Sequence, residues 1–323
     1  MTTARAFWAT GPGRGELREA ALPPPGPGEL RVRMAASGIS RGTERLVLWG
    51  RVPASEHARM RCPFQEGEFP FPVKYGYCAV GLAETGAHAG SRVFALAPHQ
   101  DFFVAPDAML TPLPDALPTR RAVLAANMET ALNIFWDAQP LIGERIAVIG
   151  AGVVGLMSAF LLARLPATTV TVIDRDGSRA TLAQDFGCRF ALPDEAPDEQ
   201  DLIVHASGNP AGLARAIGIA ANEARILEAS WFGTAPCAVP LGGAFHSRRL
   251  RLVATQVGQV ASPMRGRRSH AQRLLVALDL LQDDRLDGLL DGPTAFEDLA
   301  TAMPEILGAP GALCHVVLYT KEA

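Results

Sequence analysis

The chain has 323 residues, of which 48% are hydrophobic and 20% charged, with a formal net charge of −3. It is long enough for two domains and a large buried core, and its balance excludes disordered, fibrous and disulfide-stapled classes. Its arginines are scattered rather than gathered into a stripe, so no nucleic-acid partner is expected.

The opening residues, MTTARAFWATGPGRGEL, hold no long apolar run and are not expected to act as a secretion signal. The N-terminal part is rich in Pro and Gly, and alternation predicts short strands over 30–34, 90–96 and 101–104. Pro112, Pro114 and Pro118 punctuate the exit from this β-rich part, and a helix capped by Thr119 is predicted over 119–137. The longest apolar stretch, 146–163, is broken by glycines and reads as strand, turn and helix rather than a membrane span. Strands over 146–149, 169–173, 201–205 and 224–229 then alternate with helices over 153–165, 178–186 and 210–221. That alternation predicts an α/β, doubly wound parallel sheet with helices on both faces. An Arg-rich link over 264–268, a helix over 270–282 and a strand over 314–319 close the chain. The expected domains are 1–118, completed by 259–323, and a dinucleotide-binding domain over 119–258.

Five widely spaced cysteines, Cys62, Cys78, Cys188, Cys237 and Cys314, contain no C-x-x-C pair, so reduced thiols in a cytoplasmic setting are expected. The cofactor signal is stronger. Gly150-Ala151-Gly152-Val153-Val154-Gly155 follows a buried strand and opens a helix, and Asp174 ends the next strand. Gly150 permits the tight turn, Gly152 admits a pyrophosphate to the backbone, and Gly155 lets helix pack on sheet. The N–H groups of the helix start face the phosphates. Asp174 is placed to accept from both adenosine ribose hydroxyls, which favours NAD; Arg175 and Arg179 keep NADP open, since either can meet a 2′-phosphate. By position, Ser207 and Gly208 fall on the adenine side, and Ser230, Trp231, Thr255 and Val257 at strand ends that can hold the nicotinamide.

The stretches PGPGELRVRMAASGIS, GYCAVG and AVIGAGVVG, in this order, resemble the medium-chain dehydrogenase/reductase, alcohol dehydrogenase-like superfamily. The resemblance implies a GroES-like β-rich catalytic domain and a Rossmann domain, the final segment returning to the first. SGISRGTE, ANMETALN and the tail after Gly258 are most similar to a branch that includes bacteriochlorophyllide dehydrogenase. This implies alcohol–ketone interconversion, with a bulky substrate such as a hydroxyethyl tetrapyrrole among the options, in a homodimer or homotetramer.

Zinc-dependent members carry ligands that this chain replaces. Ser40 stands where a cysteine ligand is expected, Tyr77 where a histidine is, Cys78 at a glutamate position, and Asn127 or Glu129 at the third ligand. Hydroxyl and amide groups are poor zinc ligands, so no metal is expected. Tyr77 is either the proton donor at the reacting oxygen or a packed ring filling the vacated space. Thr43 and Glu44 resemble a relay hydroxyl and acid; Glu44 is otherwise solvated or paired with an arginine. Ser40 either bonds a substrate oxygen or serves the loop, Glu129 is a base or an arginine partner, and His315 is either a cofactor-phosphate contact or a plain strand residue. Lys74 and His99 read as surface residues. The aromatics over 49–71 suggest a wall for an apolar substrate or simple packing. A double-bond reductase using NADPH and a non-catalytic nucleotide-binding protein are the alternative functions.

Overall fold

Residues ELRVRMAASGI alternate in burial until Ala36 and are then buried on both faces, which makes strand Glu29–Ile39 the spine of the N-terminal sheet. The structure, a computed structural model, describes residues 2–86 and 88–319. Around that spine the strands run in the order Leu290–Ala295, Cys314–Leu318, Glu29–Ile39, Ala79–Ala83, Arg92–Ala95 and Thr111–Pro112; Phe102–Pro106 also pairs with the spine. The last strand lies antiparallel to the spine, Val317 opposite Ser37 and His315 opposite Ile39. A hairpin, Thr3–Gly11 with Arg14–Ala21, belongs to a second sheet of four strands. The returning segment is fastened by Arg121, whose guanidinium donates to both carboxylate oxygens of Asp287 at 2.8 and 2.6 Å.

The second unit is a six-stranded parallel sheet. Its strands lie in the order Arg189–Ala191, Thr169–Ile173, Arg145–Ile149, Gln200–His205, Ala220–Glu228 and Arg251–Ala254. The chain starts at the centre, builds one half outward, then returns to build the other, so the direction of winding reverses between Arg145–Ile149 and Gln200–His205. Ligands bind at such a switch point, beyond the carboxyl ends of the strands. Helices Val153–Leu162 and Pro210–Ile219 pack on this sheet. The α/β class, GroES-like plus Rossmann, is the fold observed.

The compact units are Met1–Ala126 with Leu278–Ala323, and Asn127–Ala277. The second therefore extends past the expected end at 258, and Arg273 gives the reason. Its guanidinium donates to the Val257 carbonyl at 2.8 Å and to Asn133 Oδ1 at 2.8 Å, tying the helix His270–Leu280 to this unit at that point. The helix expected over 119–137 is two, Thr119–Ala122 and Ala125–Ala138. Thr119 does not cap it: Pro118 takes the cap position, and the Thr119 hydroxyl receives the Arg92 guanidinium at 3.4 Å. No helix among the described residues is long and apolar enough to cross a membrane.

Candidate functional site

The glycine-rich loop is shaped by three different constraints. Gly150 has φ of +107°, and a Cβ there would lie 2.7 Å from the Ser207 backbone. A Cβ on Gly155 would lie 1.9 Å from the Gly150 carbonyl oxygen, so only hydrogen fits between helix and loop. A Cβ on Gly152 would meet nothing within 4 Å, and Gly152 is the N-cap of helix Val153–Leu162 with no side-chain cap. The backbone thus faces open space where the helix start presents N–H groups and the positive end of its dipole. These residues fit a dinucleotide pyrophosphate. Asp174 Oδ2 accepts from the Ala151 N–H at 2.6 Å and Oδ1 from the Asp176 N–H at 2.9 Å. Each oxygen keeps a lone pair, so the carboxylate can pin the loop and still accept from a hydroxyl. Arg175 is exposed, and Arg179 lies 3.4 Å from Asp176 in an ion pair.

Around the switch point, Ser207 and Gly208 are exposed and Ser230 and Trp231 half-buried. The Ser230 hydroxyl accepts from the Gly208 N–H at 3.0 Å. Thr255 donates to Asp137 at 2.7 Å, and the Val257 carbonyl is held by Arg273. His205, which no motif singled out, is fully buried beneath these loops.

In the first unit, Ser40 follows the spine strand and is the N-cap of helix Arg41–Leu48. Tyr77 Oη donates to Ser40 Oγ at 2.6 Å. Burial raises the Tyr77 phenol well above its ordinary range, and hydrogen bonds to Ser40 and Thr43 only partly oppose this, so it is held protonated. Glu44 departs from the expected solvated or arginine-paired acid. It is 3% exposed, and its carboxylate accepts from the Ser40 N–H at 2.7 Å and from His99 Nε2 at 2.8 Å. His99 is likewise no surface residue, at 1% exposure. On the other side of the ring, His99 Nδ1 lies 2.7 Å from Ser37 Oγ, which lies 2.8 Å from Tyr319 Oη. A buried chain therefore runs Tyr319–Ser37–His99–Glu44–Ser40. Sequence reasoning missed Ser37, His99 and Tyr319, because the three converge from distant parts of the chain.

Glu129 and Asn127 are both buried. Glu129 accepts from Arg273 at 3.1 Å, with both side chains buried. Burial raises its carboxyl and Arg273 opposes that rise. Lys74, expected at the surface, is buried and donates to Glu66 and Gln100. His315 Nε2 contacts Thr294 Oγ1 at 2.7 Å, and burial lowers its pKa. The aromatics over 49–71 are used in packing: Phe69 lies 5.7 Å from Tyr75, Phe64 5.9 Å from Phe103, and a Cβ on Gly50 would touch the Phe71 ring. All five cysteines are free thiols. Among the described residues no group of three or more His, Cys, Asp or Glu side chains is placed to hold a metal ion.

A GroES-like β domain and a Rossmann sheet are the two parts of the medium-chain dehydrogenases, and sequence similarity and fold support membership of that alcohol dehydrogenase-like superfamily. The chain is 27% identical over 210 residues to galactitol 1-phosphate 5-dehydrogenase of Escherichia coli K12, covering 60% of this chain and 59% of that one. Among solved structures it is similar to the alcohol dehydrogenase RspB of E. coli CFT073 in complex with NADH, at TM-score 0.78 and 18% identity, covering 99% of this chain and 100% of that one. It is also similar to L-idonate 5-dehydrogenase of E. coli K-12, at TM-score 0.81 and 13% identity, covering 98% and 99%. No family model matches the chain.

Proposed function

We propose that the chain is an NAD(H)-dependent oxidoreductase that interconverts a secondary alcohol and a ketone without catalytic zinc. The open approach to Gly152 at an uncapped helix start, beside the Asp174 carboxylate, is the observation that carries the reading. The nicotinamide would supply or accept the hydride. Val153, Val154 and Gly155 would hold the pyrophosphate through their N–H groups, and Asp174 the ribose. Ser207, Gly208, Ser230, Trp231, Thr255 and Val257 stand at carboxyl ends of the sheet where the remaining nucleotide groups would lie.

Zinc does not fit the donors. Ser40 and Tyr77 are a hydroxyl and a protonated phenol bonded to each other, Asn127 offers an amide, and Glu129 is neutralised by Arg273. Tyr77 would instead donate its proton to the developing alkoxide, and the Ser40 hydroxyl, turned about, would donate to the phenol oxygen. Thr43 would assist at the same atom. Phe69 packs on Tyr75 and the half-buried Phe64 on Phe103, and the substrate class proposed is a secondary alcohol or ketone. The test is a panel of ketones and enones with NADH and NADPH, followed by nicotinamide absorbance, on protein whose metal content is measured. Ketone-dependent oxidation of NADH by metal-free protein is expected. Enone-dependent loss of NADPH, binding without turnover, or stoichiometric zinc would each displace the proposal.

Assembly is proposed through the outer strand Arg251–Ala254. All four residues are exposed, Leu252 at 37% and Val253 at 41%, on an edge with unpaired backbone groups. Antiparallel pairing with the same strand of a second copy would satisfy them about a twofold axis. Replacing Leu252 by proline, which removes an N–H from that edge because the Thr255 N–H two positions from Val253 already points inward to the Glu228 carbonyl, is expected to convert dimer to monomer in sedimentation velocity. A wild-type monomer at micromolar concentration would dismiss the pairing.

A further inference from the structure

Beneath the switch point lies a buried polar group that the proposed chemistry does not use. His205, the last residue of strand Gln200–His205, is 0% exposed. Its Nδ1 is 2.7 Å from Glu228 Oε2 and its Nε2 2.7 Å from Ser207 Oγ. Phe232 stacks on its ring at 6.2 Å. Glu228 ends the neighbouring strand, and its other oxygen accepts from the Ser230 N–H at 2.7 Å. Ser207 Oγ also accepts from the Asn209 N–H at 3.2 Å.

Serine, histidine and carboxylate in this order match a nucleophile, its base and the group that orients the base. Two observations argue against nucleophilic use. The histidine has no exposed surface, so its Nε2 cannot reach a leaving group. The serine oxygen already receives a backbone N–H, which draws electron density from it. The arrangement instead ties three loop ends together. Ser207 carries the backbone against which Gly150 is packed, so closely that a Cβ on Gly150 would lie 2.7 Å from it. The Ala206 N–H donates to the Ile149 carbonyl at 2.8 Å, and Ser230 holds Gly208.

We infer that His205 and Glu228 are positioning residues for the dinucleotide: a buried pair that fixes the 206–209 and 228–230 loops against the glycine-rich turn in the shape the ligand needs. The inference rests on the proposed nucleotide site and deepens it. A carboxylate is required at 228 because both of its partners donate, His205 through Nδ1–H and Ser230 through its backbone N–H. A glutamine has one acceptor oxygen, so one of the two N–H groups would face its amide nitrogen. The ring's other nitrogen lies 2.7 Å from Ser207 Oγ, which holds that hydroxyl in place.

The experiment is titration of NADH fluorescence on the wild type and on Glu228→Gln, Ser207→Ala and Arg225→Met, with a thermal melt of each. Arg225 lies in the same strand three residues before Glu228 and pairs there with Glu144 at 2.7 Å. Glu228→Gln is expected to weaken NADH about 10-fold and Ser207→Ala about 5-fold, on the scale of one lost buried hydrogen bond. Arg225→Met is expected to lower the melting temperature while leaving NADH affinity as it was. Wild-type affinity in both loop variants would overturn the positioning role while leaving the nucleotide site standing. Equal weakening by all three variants would overturn it as well, since the pair would then act only through stability. Stoichiometric labelling of Ser207 by a fluorophosphonate would overturn it in favour of a nucleophile. A wild type that does not bind NADH at all would defeat the proposed function itself, and this inference with it.

Discussion

Tyr77→Phe is expected to lower turnover by about 10²- to 10³-fold, within the range that a single general acid contributes, while leaving NADH affinity unchanged. The substitution removes one hydroxyl and keeps the ring, so the edge-on contact with Tyr75 at 6.0 Å survives. What disappears is the O–H that now donates to Ser40 at 2.6 Å. The loss of that neutral bond costs about 1 kcal/mol of stability, so the variant folds, and its melting temperature is the control. Ser40→Ala should give a smaller fall, about 10-fold, because the phenol proton remains but its orientation is lost. Burial raises the Tyr77 phenol, so its protonated form persists above the pH near 10 where an exposed tyrosine ionises. Ketone reduction should accordingly show no loss from phenolate formation as pH approaches that value. Unchanged kcat in Tyr77→Phe would reduce Tyr77 to a packed ring, the other reading its position allowed.

The two sites differ in how much of them the sequence makes visible. The glycine-rich turn is local: strand, three glycines, helix and acid all fall within one βαβ unit; Gly150 and Gly155 meet the tight turn and close packing their positions implied, and Gly152 faces open space. The long apolar runs of the inner strands show the parallel sheet for the same reason, since burial on both faces leaves a mark in composition. Strands Arg189–Ala191 and Arg251–Ala254 carry no such mark because they lie at the edges. The Ser40 cluster is not local. Ser37, Glu44, His99 and Tyr319 come from the spine strand, the helix after it, a loop and the last strand. Nothing in the spacing of a lone histidine indicates that the last strand will lie antiparallel to Glu29–Ile39 and bring Tyr319 beside Ser37. His99 and Lys74 read as surface residues because burial of a polar group depends on partners that only the fold supplies. Arg273 was hidden differently: it sits in an amphipathic helix whose polar positions look solvent-facing, and only its contacts with Glu129, Asn133 and Val257 show that one of them is buried.

Asp174→Ala separates the two jobs of one carboxylate. Its first job is internal, since the bond from the Ala151 N–H at 2.6 Å pins the loop that any dinucleotide would use. Losing it should weaken NADH and NADPH alike. Its second job concerns the ribose. Two hydrogen bonds to a charged acceptor are worth about 1.5–3 kcal/mol each when well formed, and NADH would lose them. NADPH does not make that pair; its 2′-phosphate is repelled by the carboxylate and would be relieved by its removal. Arg175, exposed beside the site, is then free to meet the phosphate. The expected result is a loss of NADH affinity of about 10²-fold or more and a still larger fall in the NADH-to-NADPH preference, read by fluorescence titration of both. Arg175→Ala added to Asp174→Ala should return part of that preference. Should both nucleotides weaken by the same factor, Asp174 holds the loop and nothing else, and the choice of NAD must be made by other residues.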